Sequence, residues 1–102
     1  MHSMDEELRF AIANRRLVQV TYGESVRVVE PHDYGVQKGK VRLLVYQRSA
    51  SRRDSGRRIE GWRLLDVPKI TECVVMRQAF RGSRGASYPR HYAWEIVYAR
   101  VT

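Results

Sequence analysis

The hydrophobic positions of the chain follow two different periods, a helical one at the start and an alternating one after it. Leu8 and Ile12 lie four residues apart, as expected for one face of a helix. Ser3 followed by Glu6 forms a capping box, in which each side chain accepts a hydrogen bond from the other residue's backbone N–H. The pattern predicts a helix over residues 4–16, with acidic residues in its first turn and arginines in its last.

From residue 17 onward the apolar positions alternate with polar ones, which is typical of β-strands. Turn-forming residues separate the alternating stretches, and the pattern predicts five strands, over residues 17–22, 25–30, 40–48, 58–65 and 70–76. Pro31 is expected to end the second strand, because proline has no N–H to donate to a ladder. Residues 92–101 fit both a helix face and a strand, and their aromatic and β-branched content favours a strand.

The order of these elements predicts a single mainly β domain of the α+β class. A chain of 102 residues has room for one hydrophobic core, so one domain is expected over residues 1–102. One helix followed by five or six short strands suggests a small, partly open barrel. The helix takes residues 4–16, the barrel strands 17–76, and a basic connection with the C-terminal segment 77–102.

The net charge of the chain indicates what class of partner the protein binds. Nineteen Lys and Arg oppose eleven Asp and Glu, which gives a net charge of +8, and sixteen of the basic residues are Arg. The planar guanidinium of Arg pairs bidentately with phosphate. An arginine-rich composition is also typical of high-GC genomes, but that explains the net charge less well. Attraction to polyanions is therefore expected.

Other classes of protein find no support in the residues. No apolar run approaches the ~18–20 residues that span a bilayer, and no signal peptide is expected at the N-terminus. Cys73 is the only cysteine, so neither an intrachain disulfide nor a cysteine-based zinc site is expected, and a cytoplasmic location is the default. His32 and His91 have no second ligand at metal spacing. With no placed nucleophile either, we expect no metal, no cofactor and no enzymatic activity.

Several sequence pieces, in order and with matching spacing, resemble the WYL-domain family. A helix that ends in Arg15-Arg16 precedes a strand that ends in Tyr22. Residues 27–31 match an Arg-x-x-x-Pro strand end. Residues 62–64 match a later aromatic-Arg-Leu strand, which closes on the basic-Ile pair Lys69-Ile70. The likeness covers most of the chain.

The departure from the family lies at the triplet that gives it its name. Val41 and Arg42 stand where the family has Trp and Tyr, and Leu43 alone is retained. Phe80 and Arg84 resemble the usual trailing segment. Any role of the two missing aromatic residues cannot be carried over to this chain, but the strand prediction is unchanged.

The resemblance implies a fold like the SH3 or Sm barrels and a ligand-sensing role in bacterial transcription regulation or defence. The ligand of such a domain looks like single-stranded nucleic acid or a nucleotide-like anion. In most relatives a helix-turn-helix unit that reads DNA precedes the domain. Here a single helix precedes the first strand, which leaves a DNA-binding partner protein as one candidate source of that unit.

Six residues are candidates for contacting such an anion: Arg27, Arg42, Tyr46, Arg63, Lys69 and Arg84. Arg27 and Arg63 are expected to converge on one groove and hold phosphate oxygens. Their structural alternative is pairing with a nearby carboxylate, Glu30 or Asp66. Arg42 is expected beside Tyr46, as a cation next to a stacking ring. Its alternative is a position on the rim, with Tyr46 in the core.

Two arginine-rich stretches flank these strands. Residues 47–57 are expected to form a polar loop, and residues 81–85 a mobile connection that could fold on binding. No acid lies between Glu72 and Glu95. These stretches are expected to raise affinity for a polyanion, although solubility alone could account for them.

The rival hypothesis is a protein-interaction module, in which the charge only keeps the protein soluble or attracts an acidic partner. Interface anchors are often Trp and Tyr, and four such residues lie in the second half of the chain: Trp62, Tyr92, Trp94 and Tyr98. A terminal strand could also complete the barrel of a second copy in a homodimer. Clustered basic residues in a concavity favour the first hypothesis, and a long uncovered apolar patch favours the second.

Overall fold

The computed structural model describes residues 2–52 and 58–102. Within those residues it contains one α-helix and six strands: α1 (Met4–Ala13), β1 (Arg16–Tyr22), β2 (Ser25–Gln37), β3 (Lys40–Ala50), β4 (Gly61–Asp66), β5 (Ile70–Ala79) and β6 (Ile96–Arg100). Two short 3-10 turns span Val67–Lys69 and Gly85–Ser87. Strands make up 54% of the structure and pair antiparallel, so the mainly β prediction is confirmed.

Helix α1 begins where the capping box predicts and ends three residues early. The Ser3 hydroxyl accepts a hydrogen bond from the Glu6 backbone N–H at 3.1 Å. At the other end, the backbone and side-chain N–H groups of Asn14 both donate to the Phe10 carbonyl, at 3.0 and 2.9 Å. Arg15 then adopts a positive φ of 52°, which turns the chain into β1. The prediction that the helix continues to residue 16 is wrong, because Asn14 caps its last carbonyls.

The sheet is organised around the long strand β2. Its strand order is β4-β3-β2-β1-β5, with β6 also paired to β2. β2 pairs with β3 along most of its length, with β1 at its start and with β6 at its end. Because a strand has two edges, β1 and β6 follow one another along the same edge of β2. The sheet is not closed into a barrel, and the SH3- or Sm-like architecture stays a prediction.

The prediction that the second strand stops at Pro31 is wrong. Pro31 pairs with Val45 and Asp33 with Leu44, so His32 is an extra residue in a β-bulge and the strand runs on to Gln37. A bulge is one of the places where a sheet tolerates proline. The His32 carbonyl accepts a hydrogen bond from the backbone N–H of residue 101, at 2.8 Å. The bulge thus ties the centre of β2 to the end of the chain.

The remaining boundaries differ by a few residues from those predicted. β3 runs to Ala50, so the first part of the expected loop over residues 47–57 is strand, and residues 53–57 lie outside the described residues. β4 begins at Gly61 rather than at residue 58, and β5 continues to Ala79. In the ambiguous last segment, the strand preference is confirmed for residues 96–100.

Helix α1 and the sheet share one core. Leu8 and Ile12 of α1 are buried against apolar residues of the strands. The cluster includes Val18 and Val20 of β1, Val29 of β2, Leu43 and Val45 of β3, and Leu65 of β4. Leu44, which points to the opposite face of β3 from Leu43 and Val45, is also fully buried, so both faces of this strand are covered at its centre. Across the described ranges, no helix has the length and apolar character needed to cross a membrane.

Candidate functional site

The bulge in β2 places an imidazole at the centre of an aromatic cluster. His32 is fully buried, and its ring centroid lies 4.7 Å from that of Trp62 on β4. Phe80 and Tyr88, which follow β5, lie 5.3 and 6.0 Å from the same ring. Burial lowers the pKa of His32, so the ring is neutral at pH 7. The cluster packs the segment after β5 against the sheet.

A buried ion pair holds the same segment a few residues further on. The Nε and Nη2 atoms of Arg84 donate to the Glu30 carboxylate at 2.9 and 2.7 Å, and the Glu30 side chain is 4% exposed. The guanidinium carbon of Arg84 also lies 3.5 Å from the ring centroid of Tyr46. Hydrogen bonding to Glu30 raises the pKa of Arg84. Residues 81–85, expected as a mobile connection, are therefore tied to β2 and β3.

Glu30 and Arg84 line the first of three clefts on this side of the molecule. This first cleft has a volume of about 510 Å³ and is also lined by Arg48, Arg81 and Ser83. Three arginines and one carboxylate residue thus line this cleft. Arg48 lies 3.8 Å from Glu30, at the outer limit of an ion pair. The cleft therefore carries a surplus of positive charge.

The second cleft, of about 500 Å³, begins at Ser83 and extends to Arg90 and Arg100. Its single carboxylate, Asp33, is buried and accepts hydrogen bonds from the Tyr88 hydroxyl and from Nε of Arg100, the latter at 3.0 Å. Hydrogen bonding to Asp33 raises the pKa of Arg100, and burial raises that of Tyr88. Two partly buried aromatic residues also line this cleft: Tyr92 and Trp94.

The third cleft contains the two arginines that the sequence predicts to converge. Arg27 and Arg63 both line a depression of about 430 Å³, together with Tyr22, Trp62 and Tyr92. The guanidinium carbon of Arg27 lies 5.1 Å from the Tyr22 ring centroid. The structure therefore brings the two arginines to one groove. Whether that groove holds phosphate stays a prediction.

Hydrogen bonds set the positions of these two arginines. Arg27 Nη1 donates to the Gln47 side-chain oxygen at 3.1 Å. Arg63 is 8% exposed and donates to the backbone carbonyls of Trp62 and Arg58, at 2.9 and 2.6 Å. These hydrogen bonds help to orient both guanidinium groups in the third cleft.

Arg42 and Lys69 lie outside the three clefts. Arg42 Nε is 2.9 Å from one carboxylate oxygen of Asp66, and Lys69 Nζ is 3.4 Å from the other. Arg42 thus pairs with Asp66, the structural role that was the alternative for Arg27 and Arg63. The cation over the Tyr46 ring is Arg84 rather than Arg42. Of the six predicted residues, three line the clefts (Arg27, Arg63 and Arg84) and three do not (Arg42, Tyr46 and Lys69).

The three clefts adjoin one another through shared lining residues. Ser83 lines the first and the second, and Tyr92 lines the second and the third. We call the seven arginines that line them the arginine belt: Arg27, Arg48, Arg63, Arg81, Arg84, Arg90 and Arg100. Two carboxylates line the same clefts in the described part of the chain, and both are buried against belt arginines. The belt is thus a basic concavity with partly buried aromatic rings along it.

Known proteins offer no further guide. No protein-family model, curated protein or solved structure matches this chain. Among the residues that the structure describes, no group of three His, Cys, Asp or Glu side chains is placed to hold a metal ion. The resemblance to WYL domains stays a prediction, and the argument for function depends on the belt.

Sequence reasoning included Arg48, Arg81 and Arg90 only as members of basic stretches, and it missed Arg100. Arg81 and Arg90 belong to the acid-free stretch before Glu95, which is a visible signal of a basic surface. Arg48 lies near the end of β3, the strand that also carries the candidates Arg42 and Tyr46. Arg100 gives no signal, because it lies in a terminal strand whose pairing with β2 is a property of the fold.

Proposed function

We propose that the protein binds single-stranded nucleic acid along the arginine belt and does not act as an enzyme. One observation carries the proposal: three clefts lined by arginines adjoin one another through shared lining residues. Proteins that bind single strands combine a positively charged groove along the backbone with aromatic side chains beside it. The belt offers both features.

The charges of the belt support a phosphate ligand. Glu30 and Asp33 each form an ion pair with one belt arginine, Arg84 and Arg100 respectively, so their charges are offset. The five belt arginines of the first two clefts outnumber these carboxylates by three. Guanidinium groups pair bidentately with phosphate oxygens, and each phosphate contact releases counterions from the nucleic acid.

The dimensions of the belt favour a strand over a single nucleotide. Each cleft has a volume of about 430 to 510 Å³, within the range of small-ligand pockets of roughly 300–1,000 Å³. A nucleotide-like anion needs one such cleft and leaves the other two without a role. A short strand occupies all three, with one phosphate group or base in each.

The proposal includes the finer features that the resemblance implies. The sheet is then a partly open barrel of the SH3 or Sm type, and the belt is the sensing surface of a WYL-like module in the cytoplasm. Occupation of the belt would signal to transcription or defence, with a DNA-binding partner protein supplying any contact with an operator.

The test is fluorescence anisotropy with labelled single-stranded DNA and RNA of about 12 nucleotides, within the site sizes known for small β folds. Arg81 and Arg90 are exposed belt residues, and Arg77 on β5 is an exposed arginine outside the belt. R81A and R90A are expected to weaken binding, and R77A, with the same charge change, to leave it nearly unchanged. Equal losses in all three variants would reduce the binding to non-specific attraction.

The second candidate function, protein interaction, has an observation of its own. Phe10 and Val74 are 49% and 50% exposed and line an apolar cleft of about 500 Å³ between α1 and β5. The proposed anchors Trp62 and Tyr98 instead pack within the protein, 5.5 Å from Tyr46 and 5.1 Å from Tyr34. An F10E variant tests this candidate: a stable partner or homodimer seated on the cleft would be lost, as measured by light scattering.

A further inference from the structure

We infer that the second cleft holds an unpaired nucleobase against Trp94 and Tyr92, and that this makes the belt selective for single strands over duplexes. The inference rests on the proposed function, since it assigns a role to one cleft of the belt. Among the described residues, all aromatic side chains but one contact another ring or a cation.

Trp94 is the ring without a partner. It is partly buried and lines the second cleft. It makes no hydrogen bond, ring contact or cation contact with any other residue in the described ranges. Trp62, by comparison, packs edge-on against Tyr46 and Tyr88, at 5.5 and 5.7 Å. The indole N–H of Trp94 therefore has no hydrogen-bond acceptor among the described residues, and its ring stacks on no other ring.

Tyr92 provides a second ring in the same cleft. Its centroid lies 4.3 Å from that of His91, at an angle of 37° between the planes, so a neighbouring ring restricts its orientation. Tyr92 also lines the third cleft, between the second cleft and Arg27. A strand that runs from one cleft to the next must pass this ring. Fixed aromatic side chains lose little entropy when a base stacks on them.

The cations beside these rings are arranged for a phosphate. Arg90 is exposed and has no carboxylate within ion-pair distance among the described residues, and its guanidinium carbon lies 5.6 Å from the Tyr88 ring. Arg100 neutralises Asp33 in the wall of the cleft. A base next to Trp94 therefore meets no unbalanced negative charge, and the phosphate attached to it meets Arg90.

This arrangement distinguishes an unpaired base from a paired one. In a duplex, both faces of each base are covered by its neighbours, so a base reaches an aromatic platform only after unstacking. Stacking on aromatic side chains tolerates every sequence, because each base has a π-face. The cleft is therefore expected to select for an unpaired strand without selecting for its sequence.

The experiment compares three labelled ligands of about 12 nucleotides: a single strand, the same strand with all bases removed, and a duplex. The abasic strand keeps the phosphates and loses the stacking. The wild-type protein is expected to bind the normal strand about tenfold more tightly than the abasic strand. W94A is expected to lose most of this preference, because only Tyr92 then remains to stack with the base, and W94F to keep more of it.

The controls separate failure of the inference from failure of the proposed function. R90A is expected to weaken binding of the normal and the abasic strands, because both carry phosphates. Trp94 lies outside the core cluster, so W94A is expected to keep the melting temperature of the wild type. Two results would overturn the inference and leave the proposed function of the belt intact. One is a wild-type protein that binds normal, abasic and duplex ligands equally, and the other is a W94A variant that keeps the full preference for the normal strand. Absence of binding to every ligand would overturn both.

Discussion

The ion pair between Arg84 and Glu30 offers the sharpest test of how the belt is held in place. R84A removes two charge-assisted hydrogen bonds, at 2.9 and 2.7 Å, and leaves a Glu30 side chain that is 4% exposed. It also removes the cation that lies 3.5 Å from the Tyr46 ring centroid. The substitution therefore leaves a buried carboxylate without its main partner.

The magnitude follows from burial of the two partners. Removing one partner of a fully buried pair costs about 3–5 kcal/mol. The Arg84 side chain is 37% exposed, and Arg48, 3.8 Å from Glu30, still offsets part of the charge. We therefore expect R84A to lower the free energy of unfolding by about 2–3 kcal/mol. E30Q, which removes the charge and keeps the shape, is expected to cost about 1–2 kcal/mol.

The assay is urea denaturation of the wild type, both single variants and the double variant. The double-mutant cycle is expected to give a coupling energy of about 1–2 kcal/mol between residues 30 and 84. R81A is the matched control, because Arg81 is an exposed arginine of the same segment, and its cost is expected to stay below about 0.5 kcal/mol. An R84A variant as stable as R81A, or a coupling energy near zero, would refute the reasoning.

Three further predictions concern other parts of the fold. Burial lowers the pKa of His32, so near the ordinary pKa of about 6.5 and below it the unfolded chain binds more protons than the folded one. The melting temperature is therefore expected to fall as the pH is lowered from 7.5 to 5. The H32Q variant is expected to lose this pH dependence. A Cβ at position 35 would lie 2.0 Å from the Ile96 carbonyl oxygen, so G35A is expected to detach β6 from β2. Limited proteolysis near the C-terminus should then be faster than in the wild type. Cleavage at the wild-type rate would contradict the close approach. Burial raises the pKa of the Cys73 thiol to about 12, and a thiol reagent at pH 8 should label the native protein far more slowly than the urea-unfolded chain; equal rates would show an open thiol.

Local features of the fold are readable from the sequence, and long-range ones are not. The capping box at Ser3 and Glu6 involves residues three positions apart, so the start of α1 follows from the sequence alone. The bulge at His32 depends on how β2 meets β3. A proline that ends an isolated strand is accommodated there because the partner strand tolerates an extra residue.

The candidate site likewise contains some features that the sequence predicts and others that it does not. Arg27 and Arg63 lie on strands that both pair with β3, so their convergence could be predicted from alternation and strand order. Glu30 and Arg84 are 54 positions apart, and no local pattern links them. Trp94 belongs to a segment without regular structure before β6, so its place in the second cleft became visible with the fold.

The most direct test of the central claim is the salt dependence of single-strand binding, with variants in and outside the belt. Five belt arginines are exposed: Arg48, Arg81, Arg84, Arg90 and Arg100. Two of them, Arg84 and Arg100, are already paired with Glu30 and Asp33. At about 0.7 per phosphate contact, the other three give a slope of log affinity against log salt of about −2.1. The account predicts that the R81A/R90A double variant makes this slope shallower by about 1.4 and that R77A leaves it unchanged. Identical slopes for all these proteins would show that the arginine belt is not where nucleic acid binds.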